Sequence, residues 1–398
     1  MKRILSILLA AASALSLCGC GSIYSNYKEI EQLLVIQTMG LDTQRGGVLL
    51  SLASASDRNT GNTARCLTGT GDSITTALDH IYKYSFEEQL FCSHINHVLI
   101  GEEAAEQGIN SYLEYICRSP VMRLDTPLYI VKNGTAQKAV MDVSDGSKGI
   151  SEVMDTVEVG ARRRGDSGLY TAAHIMRNLE RHGSALVCAL EYAQPLETTA
   201  DGLTEGKGGE VTDDGSKEPS GQLTAALSGY AVIRDGKLCK YLDREQSIAA
   251  GFLCNNVGIS SVQVRDRHGS LVVLEINSGG SNVKPVWESP GVLKGLEISI
   301  NVQAAVIEIN GRSELQNAEY TDHLTAQLES LILDYAAAVM QSCKDLKADF
   351  LCLGDQVETS DPEQFRLMSR SFADLFPELE LQISVSGRLT HTNDVRDV

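Results

Sequence analysis

The residue best suited to do chemistry in this chain is Cys20, which closes the stretch Leu17-Cys18-Gly19-Cys20. A cysteine thiol placed there can carry a diacylglycerol after export. That requires an apolar residue three before the cut and a small one beside it, which Leu17 and Gly19 supply; Cys18 is an unusual second member. Cys18 is itself a poor acceptor, because bulky Leu17 stands immediately before it. Upstream, Lys2 and Arg3 precede an apolar run from Ile4 to Leu17, the layout of a secretory signal. The run is shorter than the roughly 20 residues that span a bilayer, so an uncleaved anchor helix fits less well. Residues 1–19 are therefore expected to be a lipoprotein signal peptide, with lipid attached at Cys20.

The other candidates carry less. Cys92-Ser93-His94-Ile95-Asn96-His97 gathers soft ligands, but a zinc site needs four. His94 and His97 fall at the start of a predicted strand, where they point to opposite faces, and no remote ligand pair completes a set. They read as structural residues, and no metal is expected. Gly69-Thr70-Gly71-Asp72-Ser73 before a helix lacks the third glycine and the Gly-Lys-Ser ending of a phosphate loop, and reads as a helix cap. Arg162-Arg163-Arg164 is either a solvated helix end or a docking patch for an acidic partner. Ser151-Glu152 and the stretch Glu314 to Glu319 offer carboxylates without a paired base or nucleophile. Neither Gly-x-Ser-x-Gly nor His-Glu-x-x-His occurs. No catalytic residue and no cofactor are expected, and the chain reads as a non-enzyme.

Composition narrows the classes further. Loss of residues 1–19 removes Lys2 and Arg3 and no acid, lowering the net charge from -18 to -20. Nucleic-acid binding needs a basic face, so it is excluded as a reading. Adhesion to anionic lipid through a polybasic patch is excluded likewise, leaving the covalent anchor. With 398 residues the chain exceeds what one core organises. Besides Cys18 and Cys20 there are eight cysteines: Cys66, Cys92, Cys117, Cys188, Cys239, Cys254, Cys343 and Cys352. None forms a Cys-x-x-Cys, and several sit in apolar runs, where a free thiol packs as a small hydrophobe. No disulfide pairing is assigned.

The elements follow from periodicity. Leu33 to Leu41 and Val48 to Ala53 predict a hairpin, and Ile74, Leu78, Ile81 and Tyr82 a helix behind Asp72 or Ser73. Ile95 to Ile100 predicts a buried strand, and Glu102 to Arg118 a helix with an acidic first turn. A strand at Leu128 to Val131, helices near Thr135 to Met141, Ile150 to Arg163 and Thr171 to Arg181, and a strand at Ala185 to Glu191 follow. Glu197 to Gln222 nearly lacks apolar residues and reads as a linker. Gly229 to Leu242 predicts a hairpin turning at Asp235-Gly236. Leu296 to Val306 alternates as a half-exposed strand, Glu319 to Lys344 predicts a long helix with Leu324, Leu328, Leu331, Tyr335 and Ala338 inward, Glu363 to Phe376 another helix, and Leu379 to Val385 a closing strand. The fold class is α+β or mixed α/β and multi-domain. Its expected parts are an N-terminal α/β domain at 20–195, a flexible acidic Gly-rich linker at 196–222, a small middle domain at 223–293, and a C-terminal α+β domain at 294–398 with an antiparallel sheet packed by a long helix.

Three stretches together resemble the Ger(x)C family, the C-subunit lipoproteins of spore nutrient-germinant receptors. They are Glu29-Ile30-Glu31-Gln32-Leu33 with Met39-Gly40-Leu41-Asp42, then His94-Ile95-Asn96-His97-Val98-Leu99-Ile100-Gly101-Glu102-Glu103-Ala104-Ala105, and finally Lys347-Ala348-Asp349-Phe350-Leu351-Cys352-Leu353-Gly354 with Asp361-Pro362-Glu363-Gln364-Phe365 and the Leu379 to Leu389 strand. Gly229 to Leu242 fits as a glycine-started hairpin. The resemblance implies a three-domain α/β lipoprotein on the outer face of the inner spore membrane, acting with polytopic A and B type receptor subunits when a nutrient returns a dormant spore to growth. It carries over no catalytic residue; Cys20 alone transfers, as the lipidated residue. The competing reading is a solute-binding lipoprotein of an importer, whose two repeating α/β halves are not evident in this sequence.

Overall fold

The first hairpin, β1 (Leu33–Gln44) and β2 (Gly47–Ser54), closes through Arg45 and Gly46, both at positive φ. The computed structural model describes residues 33–55, 64–84, 89–143, 149–165, 167–193, 223–311 and 314–390. Cys20 and the expected signal peptide, the loop at Asp57 to Thr63 and the expected linker at 196–222 lie outside the described residues.

Around the hairpin a nine-stranded mixed sheet assembles. β3 (Cys66–Gly71) pairs with β2, and β4 (Gln89–Phe91) runs parallel to the start of β1. β5 (His97–Gly101), β6 (Leu128–Val131) and β7 (Ser184–Ala193) continue from β1 as a parallel set, followed antiparallel by β8 (Thr224–Arg234) and β9 (Lys237–Tyr241). Helices cover both faces, which is why every position of β5 and β6 is buried. Val98, Ile100, Leu128 and Ile130 face α1 (Ile74–Tyr84), α2 (Glu102–Gln107), α3 (Asn110–Arg118) and α6 (Ala172–His182); Leu99, Tyr129 and Val131 face α4 (Ala136–Asp142) and α5 (Ile150–Arg164).

The second sheet, in order β10 (Ser260–Arg265), β11 (Leu271–Ser289), β12 (Val292–Ile309) and β13 (Glu380–Thr390), is antiparallel except for its last pair. Leu296, Ile298, Ile300, Val302 and Ala304 of β12 share one core with the stripe Tyr320, Leu324, Leu328, Ile332 and Ala336 of the 29-residue helix α8 (Ala318–Leu346). At about 1.5–3 kcal/mol for each buried large apolar side chain, this seam holds the second sheet to its helix. Between the sheets lies α7 (Arg244–Leu253), buried at every position from Gln246 to Leu253 and packed on β8, β11 and α8.

Residues 223–293 divide between the two sheets: β8 and β9 complete the first through the pairing of Ser184–Ala193 with Thr224–Arg234, and β10 and β11 open the second. The structure corrects three expectations. The inward stripe of α8 steps by four, so Ala338, expected inward, is exposed. The helix expected over Glu363 to Phe376 is broken into α10 (Pro362–Arg366) and α11 (Phe372–Leu375), after α9 (Leu353–Ser360), because Asp361 and Ser371 each cap a separate short helix. Cys92–His94 is a 3-10 turn, and β5 begins only at His97.

Three residues of the resembling stretches meet where α4 docks on the parallel strands. The buried Asp42 carboxylate accepts the N–H groups of Ala136 (2.9 Å) and Gln137 (2.7 Å), and burial raises its pKa against the pull of those two bonds. A Cβ at Gly101 would stand 1.9 Å from Asp42 Oδ1, and one at Gly40 would press on Val140 and Ala136. Asp42→Ala orphans two helix donors in a closed site and is expected to cost about 2–4 kcal/mol in chemical denaturation. Thr135→Ala, which removes the exposed cap of the same helix, is expected to cost about 1 kcal/mol. Equal losses would refute this account of the junction.

Candidate functional site

The polar groups that the topology brings together from farthest apart lie where α6 meets the turn after α8. Helix α6 ends in Arg181-His182 before the left-handed cap Gly183. Facing it, the chain leaves α8 through Lys347 and re-enters α9 through Cys352, both left-handed, which folds Asp349 back under α9. The fully buried Asp349 carboxylate accepts the N–H groups of Leu353 and Gly354, each at 2.8 Å. Burial outweighs those bonds and pushes its pKa up to about 7.

His182 bridges to this turn. Its Nε2 is 3.1 Å from Asp355 Oδ1 and its Nδ1 is 3.7 Å from Asp349 Oδ2. Arg181 pairs with Asp355 (2.9 Å) and Glu358 (2.6 Å). Arg234, at the β8–β9 turn, donates to the Leu346 carbonyl (2.7 Å), and Lys240 donates to Ser342 of α8 (2.8 Å). A cleft of about 500 Å³ opens beside these contacts, lined among others by Arg181, Arg234, Lys347, Phe365, Phe372 and Asp374. Cys254, Cys343 and Cys352 surround Asp349. Burial raises all three thiols, Cys254 to about 12, with the nearby Asp349 carboxyl adding to the rise, so they are poor nucleophiles. Ion pairs and hydrogen bonds from Arg181, His182, Arg234 and Lys240 thus join the first sheet's elements to α8 and α9.

The residues singled out in the sequence fall elsewhere. His97 is buried, with Nε2 3.1 Å from Asp155 Oδ1 and Nδ1 3.1 Å from Glu158 Oε1, so it ties α5 to the sheet. Tyr129 donates to the same Glu158, and burial followed by that carboxylate raises its phenol pKa. His94 packs on Phe91 instead. Among the described residues no group of three or more His, Cys, Asp or Glu is arranged to hold a metal ion. Gly69 and Gly71 let α1 lie close on β3, where a Cβ would come within 2.4 Å of Ala77 and 2.3 Å of Thr76, and Ser73 caps α1 through Thr76. Ser151 meets Thr38 at 2.7 Å, and Glu152 accepts from Gly149 at the start of α5. Glu314 pairs with Arg267, which holds its carboxyl below the ordinary value. Arg162-Arg163-Arg164 closes α5 ahead of the left-handed Gly165. The eight cysteines outside the signal region are free thiols. His182, Asp349 and Asp355 were not singled out as site residues; Asp349 lies three residues before the N-cap Cys352, outside the usual capping position, although it accepts from the first two N–H groups of α9.

Comparison with known proteins assigns most of the chain. Residues 26–192 match the family model described as the spore germination protein N-terminal domain. Residues 228–393 match the one described as spore germination B3/GerAC like, C-terminal. A solved structure titled "Crystal Structure of the GerBC protein" superposes with a TM-score of 0.53 at 13% identity, covering 88% of this chain and 96% of that one, so the two share a fold. No curated protein matches. Among the described residues no helix is long and apolar enough to cross a membrane.

Asp349 gives the junction a pH signature. Unfolded, it ionises at the ordinary 3.8; folded, it keeps its proton until about 7. The folded state therefore binds the extra proton, and this group's contribution to stability declines as pH rises between those values, by on the order of a few kcal/mol. Urea midpoints of the wild type should fall from pH 4.5 to pH 7.5 by more than those of Asp349→Asn, whose loss of one acceptor is a pH-independent offset. Parallel profiles for the two proteins would remove the assignment.

Proposed function

Since the chain belongs to the GerAC-like family of spore germination proteins, we propose that it is the lipid-anchored C subunit of a nutrient germinant receptor. It is held on the outer face of the inner spore membrane through Cys20 and acts beside polytopic A and B type subunits. The observation that carries this reading is the order of parts. An apolar run closed by Leu17-Cys18-Gly19-Cys20 stands first, the N-terminal family model begins at residue 26, and the C-terminal model runs to residue 393.

Attachment by lipid suits an acidic body. From Cys20 onward the chain carries a net charge of -20, which anionic headgroups repel, so residence depends on acyl chains. Each buried CH₂ contributes about 0.8 kcal/mol; one chain holds marginally, whereas the diacylglycerol of a lipoprotein cysteine holds stably. The junction supports a role without catalysis. Its thiols are kept protonated, and its carboxylates are spent on backbone N–H groups, His182 and Arg181. The subunit acts as a scaffold whose two sheets are locked in one orientation for its membrane partners.

Replacing Cys20 tests the anchor and the role together. In Cys20→Ala spores the protein is expected in the soluble fraction instead of the inner membrane. Nutrient-triggered germination is expected to fall, while growth after germination proceeds normally. Full membrane retention of the variant would refute the anchor, and an unchanged nutrient response in spores lacking the protein would refute the receptor role.

A further inference from the structure

The end of the first sheet at which β1 begins is built unlike an ordinary solvated surface. Helix α1 runs back along β3, with Gly71 against Thr76 and Gly69 against Ile81, so its last turn arrives level with Cys66. Cys66 pairs with Ala53 on β2, next to Ser54, which pairs with Ile36 near the start of β1. The segment before β6 arrives at the same end. Thr126 Oγ1 donates to the Ile95 carbonyl, Val98 N–H donates to the Pro127 carbonyl, and Asn96 N–H donates to the Gln37 carbonyl of β1.

Large apolar side chains stand in the open at both places. Tyr82 and Tyr84 on the last turn of α1 are 41% and 66% exposed, and Val121 and Leu124 before β6 are 42% and 53% exposed. The segment that carries the second pair is held firmly. Met122 is buried in the core, and Arg123 grips Asp125 through Nε (3.0 Å) and Nη2 (2.7 Å). Lys83, Arg118 and Arg123 lie toward this end, two of them already paired, Arg118 with Glu114 (3.8 Å) and Arg123 with Asp125. Arg118 is 79% exposed, and Lys83 Nζ lies 5.7 Å from the centre of the Tyr84 ring. Tyrosine, with an apolar ring and a polar tip, favours the boundary between headgroups and acyl chains.

What covers this end follows from the chain that leads to it. Between Cys20 and Leu33 there are twelve residues, which reach at most about 40 Å fully extended. Resting on the anchor at Cys20 advanced above, we propose that Tyr82, Tyr84, Val121 and Leu124 form a membrane-contact surface that dips into the phospholipid interface and orients the body on the bilayer. The anchor supplies residence, and this surface removes the freedom to tumble about it.

The single tryptophan, Trp287 in β11, makes the idea measurable. The lipidated full-length chain, purified from membranes, is reconstituted into phosphatidylglycerol/phosphatidylethanolamine vesicles with brominated acyl chains. It is prepared as the wild type and with Trp287→Phe combined with either Leu124→Trp or Tyr84→Trp. Both positions are exposed, so the fold tolerates them. Flotation with the vesicles reports the anchor, and bromine quenching reports the contact. Floating protein in which the introduced tryptophan is quenched about two-fold or more beyond Trp287 of the wild type supports the surface. Floating protein quenched no more than Trp287 overturns it and leaves the anchor standing; if the introduced tryptophan is also shielded from aqueous acrylamide, protein covers this end instead of lipid. Protein that does not float removes the anchor and the contact with it.

Discussion

The rest of the molecule depends on α7, a ten-residue helix buried from Gln246 to Leu253 with a sheet on either side. A helix without a polar face must be enclosed on every side. Leu186, Tyr230 and Val232 from the first sheet reach the same core as Ile276 and Ile298 from the second and Tyr320 of α8. The fit is close. A Cβ on Gly229, which sits at φ +70, would lie 2.5 Å from Ser247 Oγ, and Gln246 donates to Ser342 of α8 at 3.1 Å. The two sheets thus share an interior, and the ion pairs of Arg181 and His182 stand at its rim.

In the proposed role, a tethered subunit transmits position and orientation to its neighbours only if it is stiff, and a shared core provides stiffness in a way that a hinge between separate domains does not. The buried Asp349 adds a proton-dependent contribution at the edge of that core, where an ordinary carboxylate would be solvated and insensitive near neutral pH.

Local pattern made the elements legible, and long-range pairing did not. The apolar run of β5, the alternation of β12 and most of the length of α8 were plain in the sequence, since each is a short-range period. Helix α7 was invisible because a helix buried all round has no amphipathic stripe. The hairpin beginning at Gly229 follows a polar stretch and so reads as the start of a new unit, yet β8 pairs back to β7 across it. The site behaved similarly. Asp42 and Gly101 stood in stretches that resembled the family, but only the fold shows them touching at the start of α4. His182 and Asp349 are 167 positions apart, beyond the reach of any spacing rule. The proposed lipid site at Cys20 lies outside the described residues and rests on adjacent residues of the sequence alone.

That local reading is where the account is most exposed, since the proposed anchor, the receptor role and the membrane-facing end of the sheet all start from one thiol. The most direct measurement is the mass of the amino-terminal peptide of the protein isolated from spore inner membranes. The account predicts a peptide that begins at Cys20 and carries diacylglycerol. An unmodified terminus, or a peptide that continues upstream into residues 1–19, would contradict it.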